Sequence, residues 1–307
     1  MKKVILALAV FATTLCGCSK DIPTNDPHTG PAGEYPILFG YSDTRATADL
    51  STLQAEGFGV YAYFTGFPVD TQGRYSTFVK DVTYKSAQNV WAYEGLEYWI
   101  PGVSYWFTAF YPANLSGLEI NNTTEDQSYT ISGFDITEQV DVMVAKKNTS
   151  VAAGATAPAE GSTVSLNFQH LLANVTIKVK SEIDGVVVKS IKLGSAETNS
   201  TYNGSTWSLS GNTTSISYSP SKTLTKGADY IDVTDGGLLV VPASAGKPLT
   251  IEANKTYNLT IPNGTWEKGM KYTYTLLIKQ DDIIFVDNAP YTEVWDSESA
   301  TGSVIIK

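Results

Sequence analysis

The sequence predicts an all-β protein built of β-sandwiches. Three observations carry this. Short segments alternate large apolar and polar residues with a period of two. Turn signals such as Asp184-Gly185, Asn203-Gly204, Gly211-Asn212, Asp235-Gly236-Gly237 and Asn263-Gly264 separate them. Composition agrees: 17% of residues are charged, and 18 Tyr, 11 Phe and 6 Trp sit among many Thr, Ser and Asn. That mixture suits strands and turns better than helices.

In chain order, the first strand spans 35–41, where Tyr35, Ile37, Phe39 and Tyr41 alternate. Pro36 lies near its start, a position open to proline on a sheet edge. Residues 42–48 are small and polar and read as an exposed loop. Alternation returns in Phe58–Phe64 and in Tyr105–Tyr111, and a short apolar run spans Val140–Ala145. Further strands are expected at 164–168, 173–180, 186–193, 238–241, 249–251, 256–261, 271–279, 283–286 and 303–306. Helix is expected only as single turns, at 50–56 and 170–174. With no short regular repeat, a propeller or solenoid is not expected.

A length of 307 residues allows two domains, each large enough to bury a sizeable core. Residues 148–163 are small and polar, and the expected boundary lies there. The domains are then 35–155 and 156–307. Residues 18–34, rich in Pro, Gly, Thr and Asp, read as a flexible tether.

The first seventeen residues have the pattern of an export signal. Lys2 and Lys3 precede an apolar run from Val4 to Leu15, too short to span a bilayer. Leu15-Cys16-Gly17-Cys18 resembles a bacterial lipobox, and Cys18 follows the small Gly17, so Cys18 is the expected lipidation site. Cys16 leaves with the signal, which removes any structural disulfide. Multiple acyl chains, at about 0.8 kcal/mol per buried CH₂, make a stable anchor. Loss of Lys2 and Lys3 takes the formal charge from −10 to −12. So acidic a chain argues against nucleic acid and anionic headgroups as partners. Membrane contact is expected through the lipid on Cys18 alone. Ser19-Lys20-Asp21 resembles the surface-export signals of Bacteroidetes lipoproteins.

Little in the sequence supports catalysis. The only histidines are His28, in the tether, and His170, at the end of an apolar strand. A packed, hydrogen-bonded role is expected for His170. Nucleophile–histidine chemistry then has little to build on, and no zinc spacing is present. Asp281-Asp282 and Asp232 with Asp235 are carboxylate pairs of the kind glycoside hydrolysis uses. Asp235-Gly236-Gly237 and Glu125-Asp126 are calcium-type groupings without the EF-hand pattern. All four read as turns. The expectation is a non-enzyme with no cofactor and no metal.

Several segments, in order, carry a family resemblance. They are Ile37-Leu38-Phe39 followed by Thr44-Arg45-Ala46, then Phe58–Tyr63, then Tyr98-Trp99-Ile100-Pro101 with Phe107–Pro112. Gln139–Ala145, Leu166–Ala173, Gly264-Thr265-Trp266, Tyr272-Thr273-Tyr274 and Trp295 follow. The sequence resembles the fimbrillin-like (minor-fimbrillin-like) surface lipoproteins of Bacteroidales over nearly the whole mature chain. The resemblance implies two tandem transthyretin-like Greek-key β-sandwiches. It also implies export as an outer-membrane lipoprotein and a structural or adhesive place in a surface fimbria. In assembling members an arginine-specific protease cuts after the first strand, and a strand from a neighbouring subunit fills the groove.

Carried onto this chain, the resemblance makes Arg45–Ala46 the processing bond and the strand of Tyr35, Ile37, Phe39 and Tyr41 the displaced one. The loop is small and polar, as nicking sites are. The strand is expected to bury about four large side chains at roughly 1.5–3 kcal/mol each. Val304, Ile305 and Ile306 form either the donor strand or the last strand of the second sandwich. Expected partners are other fimbrial subunits, the outer membrane, the protease and a host or bacterial surface ligand. The alternative is an uncleaved lipoprotein, serving as a fimbrial anchor or accessory subunit or as a glycan-binding protein. For the last, Trp91, Trp99, Trp106 and Trp207 supply the aromatic rings, and an exposed coplanar pair would favour it.

Overall fold

The computed structural model describes residues 35–41, 47–125, 127–243, 245–262 and 264–295. The alternating segments become strands, and among the described residues strand predominates, with one ten-residue helix. The fold class is therefore all-β. The first part contains β1 (Leu38–Tyr41), α1 (Thr47–Glu56), β2 (Phe58–Phe64), β3 (Ser76–Lys85), β4 (Val90–Ala92) and β5 (Ser104–Tyr111). Then come β6 (Leu118–Ile120), β7 (Tyr129–Phe134), β8 (Met143–Ser150), β9 (Thr163–Leu166) and β10 (Gln169–His170). The next group is β11 (Ala173–Ser181), β12 (Val186–Val188), β13 (Ser190–Glu197), β14 (Ser200–Tyr202), β15 (Trp207–Ser208), β16 (Thr213–Tyr218) and β17 (Lys222–Leu224). The last is β18 (Ile231–Asp232), β19 (Leu238–Val240), β20 (Pro248–Glu252), β21 (Thr256–Thr260), β22 (Met270–Ile278), β23 (Ile283–Phe285) and β24 (Tyr291–Val294).

The largest sheet of the first part runs β10-β8-β5-β2-β3-β4. Its middle strand, β5, is buried on both faces. Tyr105, Phe107, Ala109 and Tyr111 point into a first core shared with β1, α1 and β9, and Phe110 points into a second. Strands in a doubly covered sheet are apolar almost throughout, and Ser104–Tyr111 reads SYWFTAFY for that reason. Around the second core lie four further sheets: β18-β11-β22-β23 with β19 and β24 added, β16-β13-β20-β21, β15-β14-β7-β6, and the two-stranded β12-β17, which contributes Val186, Val188 and Leu224.

The two cores interleave along the chain. Val164, Leu166 and Phe168 belong to the first core, whereas Phe134, Ile136 and Val142 belong to the second. One sheet joins β6 and β7 to β14 and β15, and β9 and β10 pair with β1 and β8. Pairing and burial therefore do not change hands at 155/156. Loop composition at 148–163 marks a turn in the path, but it cannot say which sheet receives the next strand.

Three local expectations are corrected. Residues 50–56 are not a single turn but the end of the ten-residue α1, which begins at Thr47 and so takes the last two residues of the expected 42–48 loop. Leu53 is fully buried beneath it, so tertiary burial holds a helix whose sequence has weak amphipathicity. Gly57 ends it with φ +80, where a Cβ would stand 2.5 Å from the Val82 carbonyl oxygen. Residues 170–174 form no turn of helix; they join β10 to β11. The single strand expected at 186–193 divides into β12 and β13, which belong to different sheets.

Candidate functional site at the first strand

The segment 35–41 lies between two other stretches of chain. On one side Ile37 N donates to Glu97 O at 2.8 Å, and Trp99 N donates to Tyr35 O at 3.0 Å. On the other, Leu38 N donates to Ser162 O at 3.2 Å, and β1 continues in parallel with β9, Phe39 opposite Val164 and Tyr41 opposite Leu166. Successive strand amides point to opposite edges, so both edges are used. Parallel neighbours need a crossover connection. Here the crossover is nearly the whole first part of the chain.

Burial is uneven. Ile37 is fully buried and Phe39 is 4% exposed, while Tyr35 packs against the core from its margin. Of Tyr41 only the backbone register is described. Of the four residues expected to pack, Ile37 and Phe39 are buried and Tyr35 lies at the margin; Pro36 is buried as well. Phe39 sits in an aromatic pocket, 5.4 Å from the Tyr93 ring and 5.9 Å, edge-on, from Phe107.

Two side chains clamp the backbone. Tyr93 OH donates to Ile37 O at 2.6 Å and accepts from Glu97 N. Trp99 Nε1 donates to Ser162 O at 3.1 Å. Burial pushes the Tyr93 phenol well above its usual range, because the anion would lose its water; it pushes Tyr105, whose OH accepts from Ile100 N, up to about 12. Lys80 pairs with Glu97 at 2.6 Å on the rim.

Ile37 and Phe39 were legible as a strand face, and the structure brings them together with Trp99, Val164 and Leu166. Tyr93 was missed; no periodicity marks it. Cys18, Arg45, Ala46, Val304, Ile305 and Ile306 lie outside the described residues, as do His28 and Asp126.

The remaining candidates resolve into structural contacts. His170 Nδ1 lies 2.5 Å from Asp141 Oδ2, and its ring stacks on Trp295 at 3.8 Å. Asp232 accepts from the amides of Thr234, Asp235 and Gly236, a turn-closing arrangement. Asp282 accepts from Ile283 N in the same way. Among the described residues no group of three or more metal-type side chains converges. Trp99 and Trp106 are buried. Trp106, Tyr63 and Tyr75 form a near-coplanar stack, with centroids 5.3–6.0 Å apart.

The family profile described as fimbrillin-like matches residues 44–290. The chain belongs to the fimbrillin-like family. No curated protein matches it. Among solved structures, a fimbrial protein from Bacteroides vulgatus superposes with a TM-score of 0.58 at 19% identity, covering 85% of this chain and 99% of that one. A protein assigned to cell adhesion from Bacteroides uniformis gives 0.53 at 18%, covering 87% and 100%. Another from Bacteroides ovatus gives 0.54 at 12%, covering 86% and 98%. At such identities the likeness is one of fold. This fimbrillin-like chain thus keeps the architecture across nearly the full length of each.

Proposed function

We propose that the protein is a structural or adhesive subunit of a cell-surface fimbria, exported as a lipoprotein on Cys18 and assembled by strand exchange. Family membership supports the fimbrial reading, as do the fimbrial and cell-adhesion descriptions of its structural neighbours. One observation carries the mechanism: the 35–41 segment fills a slot with an edge on either side and buries Ile37 and Phe39 there. A cut at Arg45–Ala46 would sever that segment from the rest of the fold. Hydrogen bonds and side-chain burial, that of Ile37 and Phe39 foremost, would then hold it. Leaving the slot empty would cost on the order of 3–6 kcal/mol of apolar burial, besides unpaired amides and carbonyls. An incoming strand with apolar side chains at alternate positions restores both terms together. Val304 and Ile306 have that spacing, with Ile305 on the opposite face.

The test is the N-terminal residue of the protein taken from its native cell surface, read by mass spectrometry alongside its assembly size. A start at Ala46 in high-molecular-weight material is expected. A start at acylated Cys18 throughout, with an intact Arg45–Ala46 bond, overturns exchange and leaves a retained anchor or accessory subunit.

A further inference from the structure

Far along the chain from the β1 slot, β24 is held at a single point. It pairs with β22 from Met270 opposite Val294 to Thr273 opposite Tyr291. Its side chains add little to that ladder. Tyr291 is 67% exposed and Val294 52%, Thr292 is exposed, and Glu293 is half-buried. Among residues 291–295 only Trp295 is buried, and its backbone N donates to Gly269 O at 2.7 Å. What keeps this strand in place therefore depends on what keeps that one ring in place.

The ring rests on a titratable group. The His170 imidazole is buried and lies parallel to the indole, within 6° and 3.8 Å by centroid. Its Nδ1 is 2.5 Å from Asp141 Oδ2, and the other oxygen of that carboxyl accepts from Val142 N at 2.8 Å. Backbone contacts fix both partners. His170 stands opposite Met143 in the β10–β8 pair, and Gly269 N donates to Leu172 O at 2.8 Å. The contact thus joins β10, in the largest sheet of the first part, to the end of a strand in the sheet of β11 and β22.

Charge makes the contact sensitive to pH. Asp141, in the segment before β8, stabilises an imidazolium at Nδ1. The indole does the same, because the face of an aromatic ring attracts a cation. Lys271 of β22 opposes it, with Nζ 5.7 Å from the Trp295 ring centroid, and Glu293 stands opposite Lys271 in the ladder. Glu56 is one strand further away, accepting from the hydroxyl of Tyr111, itself opposite Met143. Loss of the imidazole proton turns the pair with Asp141 into a plain hydrogen bond and takes the cation off the indole face.

We propose that His170 is a pH-sensitive latch for β24: protonated, it clasps Trp295 and keeps the strand on β22, and as the proton leaves the strand loosens. Imidazoles change charge near neutrality, so the hold is full on the acid side of that titration and is lost as pH rises through it. No step of strand exchange enters this inference, so its failure and the failure of the assembly reading are separate results.

The chain without its predicted export signal is labelled with fluorotryptophan and followed by fluorine NMR from about pH 5 to 9. The Trp295 resonance is identified by its absence in Trp295→Phe. It is expected to move in one transition. Across the same transition, amide-exchange protection at 291–294, corrected for intrinsic rates, should fall about tenfold towards high pH. Asp141→Asn should carry the transition about one pH unit or more towards acid. His170→Gln, which keeps a donor for Asp141 but no titratable ring, should remove the transition and leave protection at the high-pH level of the wild type. A Trp295 resonance that does not move overturns the proposal, as does protection that is constant or rises with pH. A transition that survives His170→Gln overturns it too. The wild-type titration decides the matter even if a variant fails to fold.

Discussion

Two parallel strand pairs organise this protein, and they are built to opposite ends. In the second core β11 and β22 run side by side in register over eight residue pairs, from Asn174 opposite Lys271 to Ser181 opposite Ile278. Each has further strands on its other edge, β18 and β19 beyond β11, and β23 and β24 beyond β22. In the first core β1 and β9 match over four pairs. The first pair is woven into the middle of a sheet, and neither strand can leave without exposing several edges. The second is made by a short strand, held from one side by β9 and from the other by residues 97–99. The same hydrogen-bond geometry thus serves a pair enclosed by further strands in one place and a short pair of four residues in the other. What differs is the length of the pairing and how much side-chain burial each strand brings.

The comparison breaks if both strands respond alike. Ile177 is fully buried at the centre of β11. Ile177→Asp places an unpaired carboxylate there, an effect of several kcal/mol, and should leave no cooperatively folded protein by near-ultraviolet circular dichroism and urea titration. Phe39→Ala acts on the shorter pair. It should cost about 3–5 kcal/mol of local stability, seen as fast amide exchange confined to residues 35–41, 97–99 and 162–166. Amides of β11 and β22 should keep their protection. Uniform loss of protection would show one cooperative unit and erase the distinction.

The smallest effect sharpens the picture of how β1 is clamped. Tyr93→Phe removes the donor to Ile37 O and should cost about 1–3 kcal/mol at neutral pH, again within the first core. In the wild type the Tyr93 phenol titrates above its unfolded value near 10. Its stabilisation is therefore complete below that value and declines as pH rises past it. Exchange of the β1 amides should accelerate above pH about 10, and the part due to Tyr93 should be missing in Tyr93→Phe. An alkaline response identical in both would assign the clamp elsewhere, Tyr105 being the next candidate.

Much of this was written locally. Alternation at Phe58–Phe64 and Tyr105–Tyr111 gave β2 and β5, and Lys271–Lys279 gave β22 within a residue at each end. Ile37 and Phe39 announced a strand face that is buried as expected. The slot around that face could not be read the same way. Val164 and Leu166 alternate plainly, yet nothing in their spelling says that β9 reaches back past more than a hundred residues to lie beside β1. Ser76–Lys85 contains apolar residues at alternate positions and still escaped notice, because the exposed Val79 blurs the pattern.

By itself the sequence determined the all-β class, the positions of many strands and the family, because period and turn chemistry act over a few residues. Only the tertiary structure decided which strands are neighbours, how the two cores interleave, and that Tyr93 closes over the Ile37 carbonyl. It also decided that Trp295 stacks on His170. Those facts depend on contacts between residues far apart in the chain. Each is chosen by the burial and hydrogen bonding of the whole fold rather than by any local preference.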